Sequence, residues 1–147
     1  MANWLNLSKE EQLNLFNQLS AKTGLPAFAI EKDAWVSLVL RMLFLSEISK
    51  HLVFKGGTSL SMAYQLIERF SEDIDFAISR EYLGFTGDLT KGKIRKLRRA
   101  SHLFSSEALP PLLQRQFGEY GIEENLYTIE VPNLQVSDQF FGASSIE

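Results

Sequence analysis

The chain has no cysteine, which excludes disulfides and thiolate metal sites. Histidine is almost as scarce: His51 and His102 are the only two and lie far apart, so a zinc site is not expected. Any metal should be a hard ion held by oxygen. No stretch reaches the roughly 18 consecutive apolar residues of a membrane span. The N-terminus, Met-Ala-Asn-Trp-Leu-Asn-Leu-Ser, lacks the basic start and continuous apolar run of a signal peptide, so a cytoplasmic protein with no membrane partner is expected. Proline is rare, at four residues, and no internal repeat or low-complexity tract is visible. A strong overall charge is missing too: the formal net charge of -3 exerts no global pull toward nucleic acid.

What is present is enough apolar material for one core. A chain of 147 residues with 45% hydrophobic content and no internal shift in composition reads as one domain. Ser8 followed by Glu11 forms a capping-box pattern, Leu13, Leu15, Phe16 and Leu19 follow at helical spacing, and Gly24 and Pro26 stop the run, which predicts a helix from Ser8 to Thr23. From Pro26 to Ser46 there is no internal glycine or proline. Apolar residues there are too dense for one stripe, which predicts a long helix buried on most sides.

The central part carries the chemistry. His51-Leu-Val-Phe54 reads as a short strand stopped by Gly56 and Gly57, and Leu60, Ala63, Leu66, Ile67 and Phe70 then recur at helical spacing. Ile74, Phe76 and Ile78 alternate with Asp73, Asp75 and Ala77, so a second strand should carry two carboxylates on one face and apolar groups on the other. Two helices are expected within residues 93–118, Lys93 to Phe104 and Leu109 to Phe117, the second opened by Pro110-Pro111, and a further strand over 126–131. Residues 1–131 thus form the expected domain, and 132–147 a polar tail of poor order. Strands mixed with helices make the class α+β (mixed α/β), a small sheet covered by helices.

Residues i and i+2 of a strand point the same way with α-carbons about 6 to 7 Å apart, so Asp73 and Asp75 can converge on one cation. Two carboxylates that close repel unless a cation neutralises them, and Mg2+, which takes few carboxylates plus water and phosphate oxygens, fits best. Taken alone, an acid-x-acid pair is more often the solvent face of an edge strand. Gly56 and Gly57 permit a sharp turn and close backbone approach to a ligand, and Thr58 and Ser59 open a helix whose unpaired N–H groups attract anions. An ordinary capped strand-to-helix turn explains the same four residues, and the Gly-Lys-Ser/Thr of a Walker loop is absent. Joining both features in one site requires the helix to stop near Leu66 or Ile67 and residues 68–72 to fold back toward the glycines, because a straight helix from Thr58 to Phe70 would be about 18 Å long.

The string Phe54-Lys-Gly-Gly-Thr-Ser-Leu-Ser61 followed by Ile67-Glu-Arg-Phe-Ser-Glu-Asp-Ile-Asp-Phe76 closely resembles the AbiEii/AbiGii-type nucleotidyltransferase toxins of type IV toxin–antitoxin systems. Glu31-Lys32-Asp33-Ala-Trp35 is similar to another segment of that family. The resemblance implies a polymerase-β-like nucleotidyltransferase fold. It makes Asp73 and Asp75 the Mg2+ ligands and catalytic carboxylates, and Gly56, Gly57, Thr58 and Ser59 the nucleoside triphosphate site. Lys55, Arg69 and Ser71 are candidate contacts to the phosphates, Lys as a point charge and Arg as a planar fork; Ser71 serves equally as a turn cap. A cognate antitoxin is an implied partner.

Members of the family run well beyond 147 residues, so their third acidic strand is expected downstream of this chain, which would make it truncated. Glu130 is the best internal substitute; it reads equally as an exposed strand carboxylate, in which case the chain is a non-catalytic binding module. Six of the nine residues from Lys91 to Arg99 are basic, a run that suits an RNA (tRNA-like) acceptor and equally a solvated helix face.

Overall fold

A computed structural model describes residues 3–55 and 74–132. The order of elements is a short 3-10 helix Asn3–Asn6, α1 (Lys9–Thr23), α2 (Ala27–Leu45), a 3-10 turn Ser49–His51, β1 (Leu52–Phe54), β2 (Phe76–Ile78), α3 (Lys91–Leu103), a π-helical turn Phe104–Ala108, α4 (Leu109–Glu119) and a 3-10 turn Glu124–Leu126. Helices dominate, and the described strands form one two-stranded antiparallel sheet, an α+β arrangement.

The first helix starts where its capping chemistry directs. Ser8 Oγ accepts the Glu11 backbone N–H at 3.3 Å, while Glu11 Oε2 accepts the Ser8 backbone N–H at 2.8 Å, satisfying two N-terminal donors reciprocally. The Ser8 backbone N–H and the Ser8 hydroxyl both donate to Glu11 Oε2 at 2.8 Å and hold that carboxyl below its ordinary pKa. Gly24 ends the helix at φ 75°, a left-handed conformation that costs glycine nothing sterically.

Helix α2 follows after three residues, Gly24 to Pro26, and packs against α1. Trp4 anchors the N-terminal turn to both, with its ring edge-on to Phe16 (5.7 Å) and to Trp35 (5.1 Å). The expectation that α2 is buried on most sides needs correction. Leu38, Leu40, Met42 and Leu43 are buried, but Phe28, Phe44 and Leu45 remain exposed. Fully covered positions begin only at Leu38, where α4 and the hairpin reach the helix, whereas the N-terminal half has α1 on one side.

Met42, Leu43 and Ile48 are the most deeply buried side chains. Around them lie Leu52 and Phe76 from the hairpin, Ile74, Phe104, Leu109, Leu112, Leu113 and Phe117 from the C-terminal helices, and Ile122. Ser46 is the buried polar side chain among the described residues, and its hydroxyl donates to the Leu43 carbonyl at 2.6 Å. Arg115 adds an exposed ion pair to Glu47 at 3.0 Å, worth under about 1 kcal/mol in such a setting.

Two further expectations change. The helices predicted over 93–118 run as a single rod, Lys91 to Glu119, through a π-helical turn. Pro110 and Pro111 have no N–H to offer the carbonyls four residues back. The chain widens just before them: Leu109 N–H bonds to Phe104 O, and the Ser105 and Ser106 hydroxyls donate to the Ser101 and His102 carbonyls. The strand expected over 126–131 is not formed. Tyr127 is extended (φ -146°, ψ 162°) and Tyr127 and Ile129 pack on the core, but among the described residues β1 and β2 pair only with each other. Alternating burial survives there without the ladder that defines a strand.

Candidate functional site

The two-stranded antiparallel ladder of β1 and β2 positions the candidate site. Leu52 pairs with Ile78, Val53 with Ala77 and Phe54 with Phe76. The ladder continues at both ends: Lys55 N–H donates to Asp75 O at 2.8 Å, and Ser79 N–H to His51 O at 2.7 Å. Leu52, Phe54, Phe76 and Ile78 turn toward the core, joined by buried Ile74, and the Phe54 and Phe76 rings lie 6.3 Å apart. By strand alternation the opposite face carries Lys55, Val53, Asp75 and Ala77. The sequence parity that put Asp75 opposite Ile74 and Phe76 is therefore observed.

Lys55 and Asp75 stand directly across from each other on that outward face. In such a hydrogen-bonded pair the α-carbons lie about 5.5 Å apart, and the link between the two residues is the backbone bond. Asp75 is half-buried and Lys55 exposed. The chain leaves β1 at Lys55 and returns at Ile74, so both ends of the intervening segment meet at one point of the ladder. Gly56, Gly57, Thr58, Ser59, Arg69, Ser71 and Asp73 lie outside the described residues, as do the helix end near Leu66 or Ile67, the return loop 68–72 and residues 133–147.

Glu130 is exposed on the extended segment after the Glu124–Leu126 turn. Among the described residues no group of three histidines or carboxylates converges as a metal cluster. Of the Glu31–Trp35 segment, Glu31, Lys32 and Asp33 are on the exposed side of α2, and Trp35 is half-buried against Trp4. Desolvation of its carboxyl pushes the Asp33 pKa above the ordinary carboxylate value.

The basic run is the body of α3. Thr90 caps it by accepting the Lys93 backbone N–H at 3.4 Å. Lys91, Lys93, Arg95, Lys96 and Arg99 are exposed, while Ile94, Leu97 and Ala100 are half-buried, so the helix presents cations along its solvent side. No helix among the described residues is long and apolar enough to cross a membrane.

Sequence reading treated His51-Leu-Val-Phe54 as one apolar run and missed that its members divide between two faces. Val53, at 56% exposure, faces outward beside the charged pair. Period-two counting from Phe54 would have placed it there. The His51 and Tyr82 rings meet at a 37° tilt with centroids 4.6 Å apart, a contact across 31 residues that no local pattern announces.

Comparison with known proteins adds the last observation. A family model described as nucleotidyl transferase AbiEii toxin, type IV TA system, matches residues 38–139, which takes in α2 from its buried half, the hairpin, the glycine and carboxylate motifs, and α3 and α4. No curated protein and no solved structure matches the chain.

Proposed function

Because the chain belongs to the AbiEii family of nucleotidyltransferase toxins of type IV toxin–antitoxin systems, we propose that it transfers a nucleoside monophosphate from a nucleoside triphosphate to an RNA or protein acceptor in a Mg2+-dependent reaction. The observation that carries this reading is the ladder bond between Lys55 and Asp75. It sets the residue preceding the glycine motif against a carboxylate of the acidic motif, on a face turned away from the core.

Asp75, half-buried on that face, offers a carboxylate suited to a hard cation, and Asp73, two residues earlier, is the proposed second ligand. When bound there, the cation would offset charge on the triphosphate and on the leaving pyrophosphate. The backbone N–H groups of Gly56, Gly57, Thr58 and Ser59 are the proposed cradle for phosphate oxygens. Lys55 supplies a mobile point charge, Arg69 a bidentate fork, and Ser71 a hydroxyl. Held in this way, the α-phosphorus is open to in-line attack by an acceptor oxygen: the new P–O bond forms as the bond to pyrophosphate breaks. Glu130 is the candidate to take the acceptor's proton.

Exposed cations on α3 support RNA as the acceptor class, since phosphate contacts dominate such binding. A cognate antitoxin is the partner that family membership suggests. The exposure of Glu130 favours a second reading: a nucleotidyltransferase-fold module that binds nucleotide or antitoxin without turnover.

The test is label transfer from α-labelled triphosphates to total RNA and protein, with Mg2+. Labelled acceptor that disappears in the Asp73→Ala, Asp75→Ala double variant supports the transferase, and Glu130→Gln tests the proton acceptor. Retained labelling in the double variant refutes it, while nucleotide binding without labelling supports the binding module.

A further inference from the structure

The outward face of the hairpin carries more than the charged pair. Moving along the ladder from Lys55 and Asp75, the next pair is Val53 and Ala77, and after it come His51 and Ser79. Val53 is 56% exposed and its neighbour Ala77 is small and half-buried. Together they make a low apolar step about 7 Å from the Asp75 position, from two residues of strand rise. Beyond the step, the His51 ring packs on Tyr82 with centroids 4.6 Å apart and the rings tilted by 37°, and Tyr82 meets buried Phe104 edge-on at 6.0 Å. These contacts hold the His51 ring against the body of the protein, and the Tyr82 backbone N–H donates to Ser79 Oγ at 3.2 Å.

The face therefore runs from charge, through a flat apolar patch, to a polar-edged ring. A nucleoside triphosphate has the same order: anionic phosphates, then, one ribose away, an apolar base plane with hydrogen-bonding edges. The size of the step also selects its occupant. One strand pair is far smaller than the roughly 1,000 Å² that a specific protein partner needs, but a single base can cover it, and small-molecule sites combine such apolar walls with a few polar groups.

We propose that Val53 and Ala77 seat the base of the nucleoside triphosphate, with His51 at its far edge. Val53 is then a specificity-determining residue. This subsite rests on the transferase reading above, which supplies the phosphate end.

The experiment measures binding of the four nucleoside triphosphates and of inorganic tripolyphosphate to the full chain with Mg2+, by calorimetry. The unsubstituted chain should bind one nucleotide more tightly than tripolyphosphate. Val53→Gln, uncharged and at an exposed position, should weaken that nucleotide about tenfold and tripolyphosphate by less than about twofold. Val53→Ile should retain the original affinity. Equal weakening of both ligands by Val53→Gln, or of neither, overturns the subsite and leaves the transferase reading standing. Binding of neither ligand by the unsubstituted chain overturns both.

Discussion

The backbone N–H of Lys55 donates to the carbonyl of Asp75 at 2.8 Å, which makes the residue before the glycine motif the cross-strand partner of a proposed metal ligand. Nineteen residues separate them in sequence, yet their side chains leave the same face of one ladder. In the proposed reading the Lys55 side chain has two separable duties: steadying the ladder and meeting the triphosphate.

Lys55→Met distinguishes those duties. Loss of an exposed cross-strand charge pair should change unfolding free energy by less than about 1 kcal/mol. Loss of a phosphate contact should raise the nucleotide dissociation constant about tenfold, equivalent to about 1.4 kcal/mol. Urea unfolding and nucleotide calorimetry on the same protein separate the two. Unchanged nucleotide affinity would remove Lys55 from the proposed phosphate site.

Leu43 tests where the core is centred. It is fully buried (0% exposed) two residues from Leu45, which is 59% exposed on the same helix. Leu43→Ala should cost about 2–5 kcal/mol by lost burial and the cavity left behind. Leu45→Ala should stay within about 0.5 kcal/mol. Comparable shifts of the two urea midpoints would contradict the packing of α2.

Asp33 gives the fold a pH dependence of defined sign. Desolvation raises its carboxyl pKa above the ordinary 3.8, so the folded protein holds this proton more tightly than the unfolded chain does. The resulting stability is fully present below the unfolded pKa and is lost as pH rises through the folded one. Asp33→Asn, which cannot ionise, should melt at a higher temperature than the parent at pH 7, and the difference should close near pH 3. A difference that is constant with pH would exclude desolvation of Asp33 as its cause.

Much of this was legible locally. Ser8 with Glu11 and Gly24 mark the ends of α1 because caps are contacts within a few residues. The parity of Ile74, Asp75 and Phe76 revealed which face each would take, because strand alternation is a property of the backbone. The pattern Tyr127-Thr-Ile-Glu-Val131 misled for the complementary reason: alternation shows a half-buried extended segment, while a strand also needs a neighbour to pair with. Continuous helix through Phe104–Ala108 was hidden because Pro110-Pro111 reads as the opening of a separate helix, whereas a π turn, with Leu109 N–H on Phe104 O, carries the chain from one helix into the next.

Local chemistry in the sequence, then, determined the helix caps, the alternation at the hairpin and the residue types fit for Mg2+ and phosphate. Tertiary structure decided that Lys55 pairs with Asp75, that Val53 lies exposed beside them, and that His51 meets Tyr82. Caps and alternation are set by backbone geometry over one turn or two residues. Cross-strand register and ring contacts depend on how distant segments bury their apolar faces against one another, and no short stretch of sequence carries that information.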